Sequence, residues 1–356
     1  MAELELAPPG PGEVLVRLHA SGVCHSDLNA IDGTAETRCP AVLGHEGAGV
    51  VEAAGAATSL RPGSHVVLSW LPACGACEEC TRGLGHLCGE AWRGMAHGGL
   101  LDGTTRLSRD GEPVFHYCYV STFAERAVVP ETSCVPMPAD VPFAVAALVG
   151  CAVATGVGAV WNTAAVRPGE RVAVIGCGGV GLSAVAGAAS VAASPIVAVD
   201  VADERLEAAL DMGASAAVHA GPDAESTAEA IAQAAGGGVD YAFEATGRPD
   251  AMLAAFLATR QRGAAVLIGI AAPDAVVPIP AGLVPRAERR LLGSAYGSVR
   301  PERDFPRILE LYRRGLLPLD RLVSHRLRLE EIETAFDLMR ARTSRRVVLD
   351  LNGGSA

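Results

Sequence analysis

Aromatic residues make up only 4% of this 356-residue chain and charged residues only 19%, whereas 50% of it is hydrophobic. So little charge in so apolar a chain excludes intrinsic disorder, and the length suggests roughly two domains of about 150 residues each. Basic residues are scarce as well, because 29 Lys and Arg stand against 40 Asp and Glu and give a net charge of -11. The chain offers no basic face to a phosphate backbone, so we expect no nucleic-acid partner.

Two runs lack charge altogether, residues 141–166 and residues 172–199. Each is long enough to suggest a membrane span, but buried strands of a parallel sheet also give continuous apolar runs. Glycines such as Gly150, Gly156 and Gly158 favour the second interpretation, because glycine breaks helices. No charged segment followed by an apolar stretch opens the chain, so we expect a cytoplasmic protein that does not span a membrane.

The composition changes along the chain. Residues 1–140 alternate Pro- and Gly-rich turns with short segments of strand composition, which predicts an irregular, mostly β domain. From residue 171 onward, predicted strands alternate with helices, a pattern typical of a parallel, doubly wound sheet. The strands predicted there are residues 172–175, 196–200, 241–243 and 265–268. Near the end, the spacing of Leu329, Ile332, Phe336 and Met339 predicts an amphipathic helix, and a strand follows at residues 347–351.

Four cysteines form the pattern C-x2-C-x2-C-x7-C: Cys74, Cys77, Cys80 and Cys88. Four thiolates this close together are able to enclose one zinc with no open position, as structural zinc sites do. A disulfide pair and an iron–sulfur cluster are the alternatives. Clustered cysteines of a cytoplasmic protein favour metal over disulfides, and the spacing departs from the ferredoxin pattern. We therefore expect a structural zinc lobe at about residues 73–90. Loss of its zinc should loosen this loop before it affects catalytic activity.

A glycine-rich turn follows the strand predicted at residues 172–175 and precedes a helix. It has the pattern G-x-G-x-x-G, with Gly176, Gly178, Gly179, Val180 and Gly181 as the residues expected to meet a dinucleotide pyrophosphate. Asp200 closes the next strand, where a carboxylate accepts hydrogen bonds from the adenosine ribose and repels a 2′-phosphate. Val201 and Ala202 supply no cation for such a phosphate, so we expect NAD rather than NADP.

Three further segments are weak signals when taken singly. They surround Cys24 (Gly22 to Asp27), His45 (Gly44 to Gly49) and Cys151 (Gly150 to Gly156). A cysteine like Cys151 in an apolar run is ordinarily a small buried hydrophobe. Together with the four-cysteine motif and the glycine turn, however, these segments resemble the zinc-dependent alcohol dehydrogenases of the medium-chain dehydrogenase/reductase family over nearly the whole chain.

The resemblance implies an α/β protein of two domains. One is a GroES-like β-barrel catalytic domain, residues 1–151 and 296–356, and the other is a Rossmann NAD-binding domain, residues 152–295, with the active-site cleft between them. It also implies that Cys24, His45 and Cys151 are the protein ligands of a catalytic zinc with one open position.

By the same resemblance, Asp27 orients His45, and Glu46 is an acidic neighbour close to the metal unless it is a solvated surface carboxylate. Ser26 accepts the hydrogen bond of the substrate hydroxyl and starts a proton relay. Relatives often end this relay on a histidine three positions later, where this chain has Asn29. Because asparagine does not titrate, the relay ends on the cofactor ribose and water, or another group completes it.

The resemblance assigns further cofactor contacts. His25 and Arg346 reach the pyrophosphate, although Arg342 and Arg345 stand beside Arg346 and each of the three could be a plain surface charge. Arg205 borders the adenosine ribose or is a solvated helix cation. Thr155 approaches the nicotinamide or bonds to its own helix backbone.

Trp70 and Phe123 are the candidates for the substrate pocket, with ordinary core packing as the alternative for both. Large rings near zinc would suit a flat apolar substrate. A branch of the family that oxidises the thiol adduct of formaldehyde has similar motifs but uses charged pocket residues. Here Ala35 stands where an acidic one is expected, although Glu36 is adjacent, and Trp92 stands near the basic one, although Arg93 is adjacent. Residues 90–119 are expected to form a lid or pocket wall.

The sequence thus predicts a zinc-dependent alcohol dehydrogenase with two zinc ions per chain and NAD, acting on a primary alcohol, such as a benzylic or allylic one, or on the matching aldehyde. The alternatives are a thiol-dependent formaldehyde dehydrogenase, an NADPH-dependent aldehyde reductase, and a redox-sensing or zinc-storing binding protein that keeps the dehydrogenase fold without the activity. We expect a homodimer or homotetramer joined through the nucleotide domain, with residues 273–284 as the interface strand. Relatives usually begin with an extra strand before residues 3–9, so the start of the chain could differ from theirs.

Overall fold

The computed structural model describes residues 1–351, and these form two compact units. Of the described residues, the first comprises Met1–Cys151, Arg300–Arg313 and 323–351, and the second comprises Ala152–Val299 and Arg314–Leu322. These limits differ from the sequence-based ones, which return the chain to the first domain at residue 296. Residues 314–322 lie with the second unit, where Arg321 donates a hydrogen bond of 2.7 Å to the carbonyl of Asp211.

The strands, in chain order, are β1 (Glu5–Leu6), β2 (Glu13–Val23), β3 (Ala41–Val42), β4 (Glu46–Ala54), β5 (His65–Leu68), β6 (Leu107–Arg109), β7 (Glu112–His116), β8 (Arg126–Pro130), β9 (Cys134–Pro136), β10 (Val172–Ile175), β11 (Ile196–Asp200), β12 (Ala216–His219), β13 (Val239–Glu244), β14 (Thr259–Leu267), β15 (Arg290–Gly293), β16 (Val323–Arg328) and β17 (Arg346–Asp350). The helices are α1 (His25–Ile31), α2 (Glu78–Thr81), α3 (Gly89–His97), α4 (Phe143–Leu148), α5 (Ala154–Gly158), α6 (Gly179–Ser190), α7 (Asp203–Asp211), α8 (Ala224–Ala235), α9 (Pro249–Ala258), α10 (Leu283–Ala287), α11 (Pro301–Arg313) and α12 (Ile332–Arg340).

The first unit is built around the long strand β2, which pairs antiparallel with β4, β8 and β17. Its sheet has the order β16-β17-β2-β4-β5-β9, and a smaller sheet has the order β1-β6-β7-β3. Alternate residues of β2, namely Val14, Val16 and Leu18, are fully buried in one core with Phe336 and Met339 of α12. The amphipathic helix and the irregular β domain that the sequence predicts are therefore present.

The second unit contains a six-stranded sheet in the order β12-β11-β10-β13-β14-β15. All five pairings are parallel, and the helices that follow the strands supply much of the core. The strand order reverses beside β10, and ligands of doubly wound sheets bind outside the carboxyl ends of the strands at such a point. The prediction of a doubly wound parallel sheet is confirmed, and the glycine-rich turn and Asp200 lie at this end of β10 and β11.

One expectation about the apolar runs is wrong. Residues 141–166 contain no strand but a single 21-residue helix, Phe143–Thr163, with π-helical turns at Val149–Val153 and Ala159–Thr163. The glycines allow close packing here, since a Cβ on Gly156 or Gly158 would lie within 2.6 Å of neighbouring atoms of the second unit. By length and composition this helix could cross a membrane, but 78% of its most apolar window is buried inside the protein, as in a core helix.

The segment expected to form the interface strand is not a strand within the single chain, and its pairing with a partner chain stays a prediction. Residues 273–282 form no strand, and α10 begins at Leu283. Pro273, Pro278 and Pro280 lack the N–H groups that a strand would need. The edge of the sheet is β15 instead.

Candidate active site

Two groups of side chains in the described residues are close enough to hold a metal ion. One, which we call the split cluster, contains Cys24, His45, Glu46 and Cys151, whose ligand atoms all lie within 4.8 Å of one another. Gly22 at the end of β2 pairs with Glu46 at the start of β4, which brings Cys24 and His45 together. Cys151 comes from the π-helical turn Val149–Val153, and such turns are frequent at functional sites.

Asp27 fixes the orientation of His45. Its Oδ1 lies 3.0 Å from His45 Nδ1 and accepts a hydrogen bond of 3.1 Å from Gly44 N, and its Oδ2 accepts one of 3.0 Å from Cys24 N. All of this is buried, because Asp27 has no exposed surface and His45 only 2%. A carboxylate on Nδ1 selects the tautomer that leaves Nε2 available as a ligand. The hydrogen bond between Asp27 and His45 is thus present, and the role of His45 as a metal ligand stays a prediction.

The charges of the split cluster suit a cation. Hydrogen bonding with Cys151 holds the pKa of the Cys24 thiol well below its ordinary value despite burial, and the same bond raises the pKa of Cys151. Burial opposes protonation of His45, but Asp27 and Cys151 outweigh it and raise the pKa of the imidazole. Two cysteines and one histidine are soft and borderline donors of the kind that bind zinc in catalytic sites. The residues thus fit a zinc ion.

Glu46 is paired with Arg346 rather than solvated. Its carboxylate accepts a short hydrogen bond from Arg346 Nη2, and the exposed fractions of the two residues are 0% and 6%. Burial raises the pKa of the Glu46 carboxyl to about 7, although Arg346 lowers it. The carboxylate occupies space that only glycine leaves free on β2, since a Cβ on Gly22 would lie 2.0 Å from Glu46 Oε2. Sequence reasoning missed this pair, and the pyrophosphate contact of Arg346 stays a prediction.

Ser26 lies on the first turn of α1 beside the split cluster, with its Oγ 3.8 Å from Cys24 Sγ. Neighbouring His25 and Asn29 are exposed on the same short helix. Tyr117, which the sequence analysis did not select, lies against this site. Its hydroxyl donates to the carbonyl of Ser26 at 3.0 Å, and its ring meets the His45 ring edge-on with the centroids 5.8 Å apart. Burial raises the pKa of Tyr117, so the phenol stays protonated.

The second group, which we call the four-cysteine lobe, consists of Cys74, Cys77, Cys80 and Cys88, again with all ligand atoms within 4.8 Å of one another. The sulfur atoms of Cys74 and Cys80 lie 3.9 Å apart, as do those of Cys77 and Cys88, so neither pair forms a disulfide. Four sulfurs arranged tetrahedrally around one zinc would be about 3.8 Å apart. This arrangement fits a structural zinc site.

Backbone amides support the sulfurs of the four-cysteine lobe. Cys77 N donates to Cys74 Sγ at 3.4 Å, while Cys74 N and Ala91 N donate to Cys88 Sγ at 3.3 and 3.5 Å. Hydrogen bonds from the backbone N–H groups of Ala76 and Cys77 lower the pKa of Cys74 to about 7, whereas burial raises the pKa of Cys80 to about 12. The local turns of the lobe therefore favour a thiolate at Cys74 before any metal is bound.

The residues proposed for the substrate pocket have different surroundings. Trp70 is half-buried, and its ring meets that of Trp92 edge-on at 5.5 Å. Phe123 packs against the core of the first unit, with its ring 6.3 Å from that of Phe336. Its contacts are those of a core residue, and the pocket role of both rings stays a prediction.

The glycine-rich turn lies next to Asp200, as its sequence position suggests. Asp200 Oδ2 accepts a hydrogen bond of 2.7 Å from Cys177 N, and its Oδ1 accepts bonds from Val201 N and Ala202 N. A Cβ on Gly181 would lie 1.7 Å from the carbonyl oxygen of Gly176, so the helix approaches the strand as closely as the motif requires. A Cβ on Gly178 would meet no atom within 4 Å, which leaves room for a pyrophosphate.

The cofactor contacts expected of Arg205, Thr155, Gly179 and Val180 stay predictions. Arg205 Nη1 lies 3.8 Å from Asp200 Oδ2, so its charge stands beside the expected ribose position. Thr155 is half-buried on α5, and Gly179 and Val180 begin α6. Of the cysteines outside the two clusters, Cys118, Cys134 and Cys177 are buried, and Cys39 is exposed.

The chain is similar to known proteins along nearly its whole length. Residues 10–139 match the family model "Alcohol dehydrogenase GroES-like domain", and residues 179–314 match "Zinc-binding dehydrogenase". An S-(hydroxymethyl)glutathione dehydrogenase of Synechocystis sp. is 38% identical over 98% of this chain and 95% of its own. Two solved structures each match over 98% of this chain and 94% of theirs. They are an alcohol dehydrogenase zinc-binding domain protein from Burkholderia ambifaria (35% identity, TM-score 0.94) and the benzyl alcohol dehydrogenase of Acinetobacter calcoaceticus (32%, TM-score 0.92).

Proposed function

The chain belongs to the zinc-dependent alcohol dehydrogenases of the medium-chain dehydrogenase/reductase family, whose cofactors are zinc and NAD(H), and from this premise we propose that it interconverts a primary benzylic or allylic alcohol and its aldehyde. The observation that carries the proposal is the split cluster, in which Cys24, His45 and Cys151 converge while Asp27 holds the imidazole. In the forward direction an alcohol and NAD⁺ give the aldehyde, NADH and one proton.

The residues around the split cluster have different roles in the proposed reaction. When bound at the split cluster, zinc would supply Lewis-acid polarisation of the substrate oxygen, and NAD would supply the hydride-accepting ring. Cys24, His45 and Cys151 would hold the metal, and Asp27 would keep His45 Nε2 directed at it. Ser26 takes the hydroxyl proton of the substrate while it passes its own proton on. Because Asn29 does not titrate, the proton would leave Ser26 towards water and a hydroxyl group of the bound cofactor rather than towards that side chain.

Asp200 supports the choice of NAD over NADP. Its buried carboxylate ends β11 beside the glycine-rich turn and would repel a 2′-phosphate. The adjoining Val201 and Ala202 carry no charge, and the nearby Arg205 already faces Asp200 at 3.8 Å. We expect Asp200→Asn to raise the NADP-to-NAD ratio of kcat/KM by about tenfold, because it removes the repulsion and keeps the side-chain shape.

An aromatic substrate is favoured by the ring of Tyr117. It adjoins His45, so a flat apolar group lies beside the split cluster. The similarity to a benzyl alcohol dehydrogenase points the same way. Thiol-dependent formaldehyde oxidation is the second candidate, because the Synechocystis relative carries that activity in its name. Against it, Arg93 pairs with Glu90 at an exposed position instead of offering its charge alone to an anionic conjugate.

Absorbance at 340 nm tests these assignments. The purified protein is supplied with NAD and benzyl, allyl and aliphatic alcohols, and separately with formaldehyde with and without glutathione. Turnover of benzyl alcohol supports the proposal, and turnover that requires both formaldehyde and glutathione replaces it with the second candidate. A third arm, with NADPH and benzaldehyde, tests for an aldehyde reductase. If a protein with two zinc ions per chain gives no change in absorbance in any of these assays, the proposed function is contradicted.

We also propose a cytoplasmic homodimer or homotetramer. Six of the ten cysteines lie in the two clusters and must stay reduced to bind zinc, which suits a reducing compartment. Ile270 and Val276, 93% and 78% exposed, and Leu291 on the edge strand β15 give the second unit uncovered apolar surface. Light scattering coupled to gel filtration is expected to give two or four chain masses, and a monomer would contradict the assembly.

A further inference from the structure

Tyr117 is held in place by a tight turn after β7. Its N–H donates to Ser121 Oγ at 3.0 Å, and its carbonyl accepts hydrogen bonds from the N–H groups of Val120 and Ser121. Cys118, next along the chain, has a left-handed φ of 51°. A residue whose backbone is fixed on both sides holds its side chain in a defined direction.

The Tyr117 side chain contacts both Ser26, beside the split cluster, and His45, a member of the cluster. The hydroxyl donates to the carbonyl of Ser26 at 3.0 Å, and the ring lies edge-on to His45 at 5.8 Å. Ser26 in turn stands between Cys24, a cluster residue, and Asp27, which bonds His45. One phenol therefore links the helix that carries the serine to the histidine of the cluster.

Ser26 has particular need of such support in this chain. It lies on α1, which has only seven residues, and Asn29 on the same helix offers no titratable group. An isolated helix this short has little stability of its own, so its position depends on tertiary contacts. A small displacement of a proton-accepting group has a large effect on rate, because proton transfer requires hydrogen-bond distance.

We propose that Tyr117 is a positioning residue for proton removal: its hydroxyl fixes Ser26 through the main-chain carbonyl, and its ring fixes the distance from Ser26 to His45. The inference rests on the proposed function, in which Ser26 takes the substrate proton. Tyr117 itself neither gains nor loses a proton in this role.

Tyr119 provides a matched control. Its hydroxyl donates to a main-chain carbonyl, that of Ala91 on α3, at 2.7 Å, so Tyr119→Phe and Tyr117→Phe each remove one tyrosine-to-backbone hydrogen bond. We expect Tyr117→Phe to lower kcat for benzyl alcohol by about tenfold, the equivalent of one lost hydrogen bond, with KM for NAD unchanged. Tyr119→Phe should leave kcat within about twofold.

The pH profile separates positioning from a merely structural role. If Ser26 is misplaced, solution base replaces it in part, so the loss in Tyr117→Phe should be largest near pH 6 and shrink as the pH rises. A loss that is equal at every pH, or equal in the two phenylalanine variants, would overturn the proposal.

Cobalt substitution at the split cluster gives a readout that does not depend on turnover. Tyr117→Phe keeps the ring and should keep the visible cobalt absorption, whereas Tyr117→Leu removes the ring from His45 and should shift it. Identical spectra for wild type, Tyr117→Phe and Tyr117→Leu would contradict the ring's role. A wild type that is inactive with every alcohol would refute the proposed function, while the cobalt spectra would still decide whether Tyr117 positions His45.

Discussion

The split cluster and the four-cysteine lobe lie in the same unit and both fit zinc, yet they are assembled differently. The four-cysteine lobe takes all of its donors from fifteen consecutive residues, Cys74 to Cys88. The split cluster takes its donors from a helix N-terminus, the start of a strand and a π-helical turn, and Cys24 and Cys151 are 127 positions apart. The geometry of the four-cysteine lobe depends on its own local turns. The geometry of the split cluster depends on how distant parts of the unit pack together.

The supporting groups differ as well. Backbone amides donate to the sulfurs of the four-cysteine lobe, and these amides belong to the lobe or to the helix that follows it. Side chains support the split cluster instead: Asp27 on His45, Tyr117 on Ser26 and Arg346 on Glu46. Side chains can be changed one at a time without altering the backbone, so a site built this way has adjustable chemistry. The difference predicts that substitutions at the two clusters separate activity from local stability.

The largest effect is expected from Cys151→Ser. Loss of one protein ligand from the split cluster should lower kcat/KM by at least about 1,000-fold, because the Lewis acid contributes several kcal/mol to catalysis. Zinc content, measured by atomic emission, should fall from two ions to one, while NAD still binds in a fluorescence titration. Cys134→Ser is the control, since Cys134 is buried and free but lies outside both clusters. If turnover persists in Cys151→Ser after one zinc is lost, Cys151 is not a ligand of the catalytic zinc.

A ligand substitution in the four-cysteine lobe should have the opposite profile. Cys77→Ser should also lose one zinc, but kcat should stay within about tenfold of wild type because no ligand of the split cluster is touched. The lobe should open, and the emission of Trp92 should move to longer wavelength, because its indole N–H donates to the carbonyl of His86 inside the lobe at 3.2 Å. Cys39→Ser serves as the exposed-cysteine control.

Trp92→Phe in the Cys77→Ser background identifies which tryptophan changes, since the chain has three. If kcat falls as far in Cys77→Ser as in Cys151→Ser, the two clusters are not functionally distinct, and the comparison fails.

Asp27→Asn tests the side-chain support with a smaller change. Asparagine keeps the shape but removes the charge that orients His45, and such substitutions typically cost about 10–100-fold in metal affinity or activity. A competition titration with a chromophoric chelator measures the affinity of the split cluster. Asp32→Asn is matched to it, because Asp32 caps the end of the same helix and pairs with Arg340 at the surface. Equal affinities in the two variants would show that Asp27 does not support the metal site.

The same contrast explains how far the sequence could predict this molecule. The four-cysteine lobe and the glycine-rich turn depend on local spacing, so four cysteines and four glycines were enough to locate them. The split cluster depends on the pairing of Gly22 with Glu46 and on the turn at Cys151, which no local pattern contains. Only the resemblance to a family brought these residues together.

Long-range packing accounts for the parts that were missed. Gly156 and Gly158 seemed to end helices, but they lie inside one because neighbouring backbone passes within 2.6 Å of where their Cβ atoms would be. Residues 90–119 were expected to form a lid or pocket wall, and this stays a prediction; the choice of Tyr117 among them depends on the turn at Cys118, which has left-handed backbone. The ion pair between Glu46 and Arg346 spans 300 positions and leaves no trace in either segment.

The smallest expected effect is the contribution of one buried histidine, outside both clusters, to the loss of stability in acid. His116 at the end of β7 is 3% exposed, and burial, with Arg106 nearby, lowers its pKa from 6.5 to about 4. Between these values the unfolded chain binds a proton that the folded chain does not, so stability is complete above pH 6.5 and falls as the pH drops toward 4. We expect the loss between pH 7 and pH 5.5 to be about 1 kcal/mol.

Urea unfolding at the two pH values, in wild type and His116→Gln, measures this contribution. Glutamine keeps a polar side chain but does not titrate, so the variant should lose less stability on acidification than wild type. Acid also protonates the cysteine and histidine donors of both clusters and releases metal. The difference between wild type and His116→Gln isolates the contribution of His116, and repeating the measurement in Cys77→Ser and Cys151→Ser shows how much of the remainder belongs to the clusters. Equal acid sensitivity in wild type and His116→Gln would place the entire effect on the clusters and on the surface carboxylates.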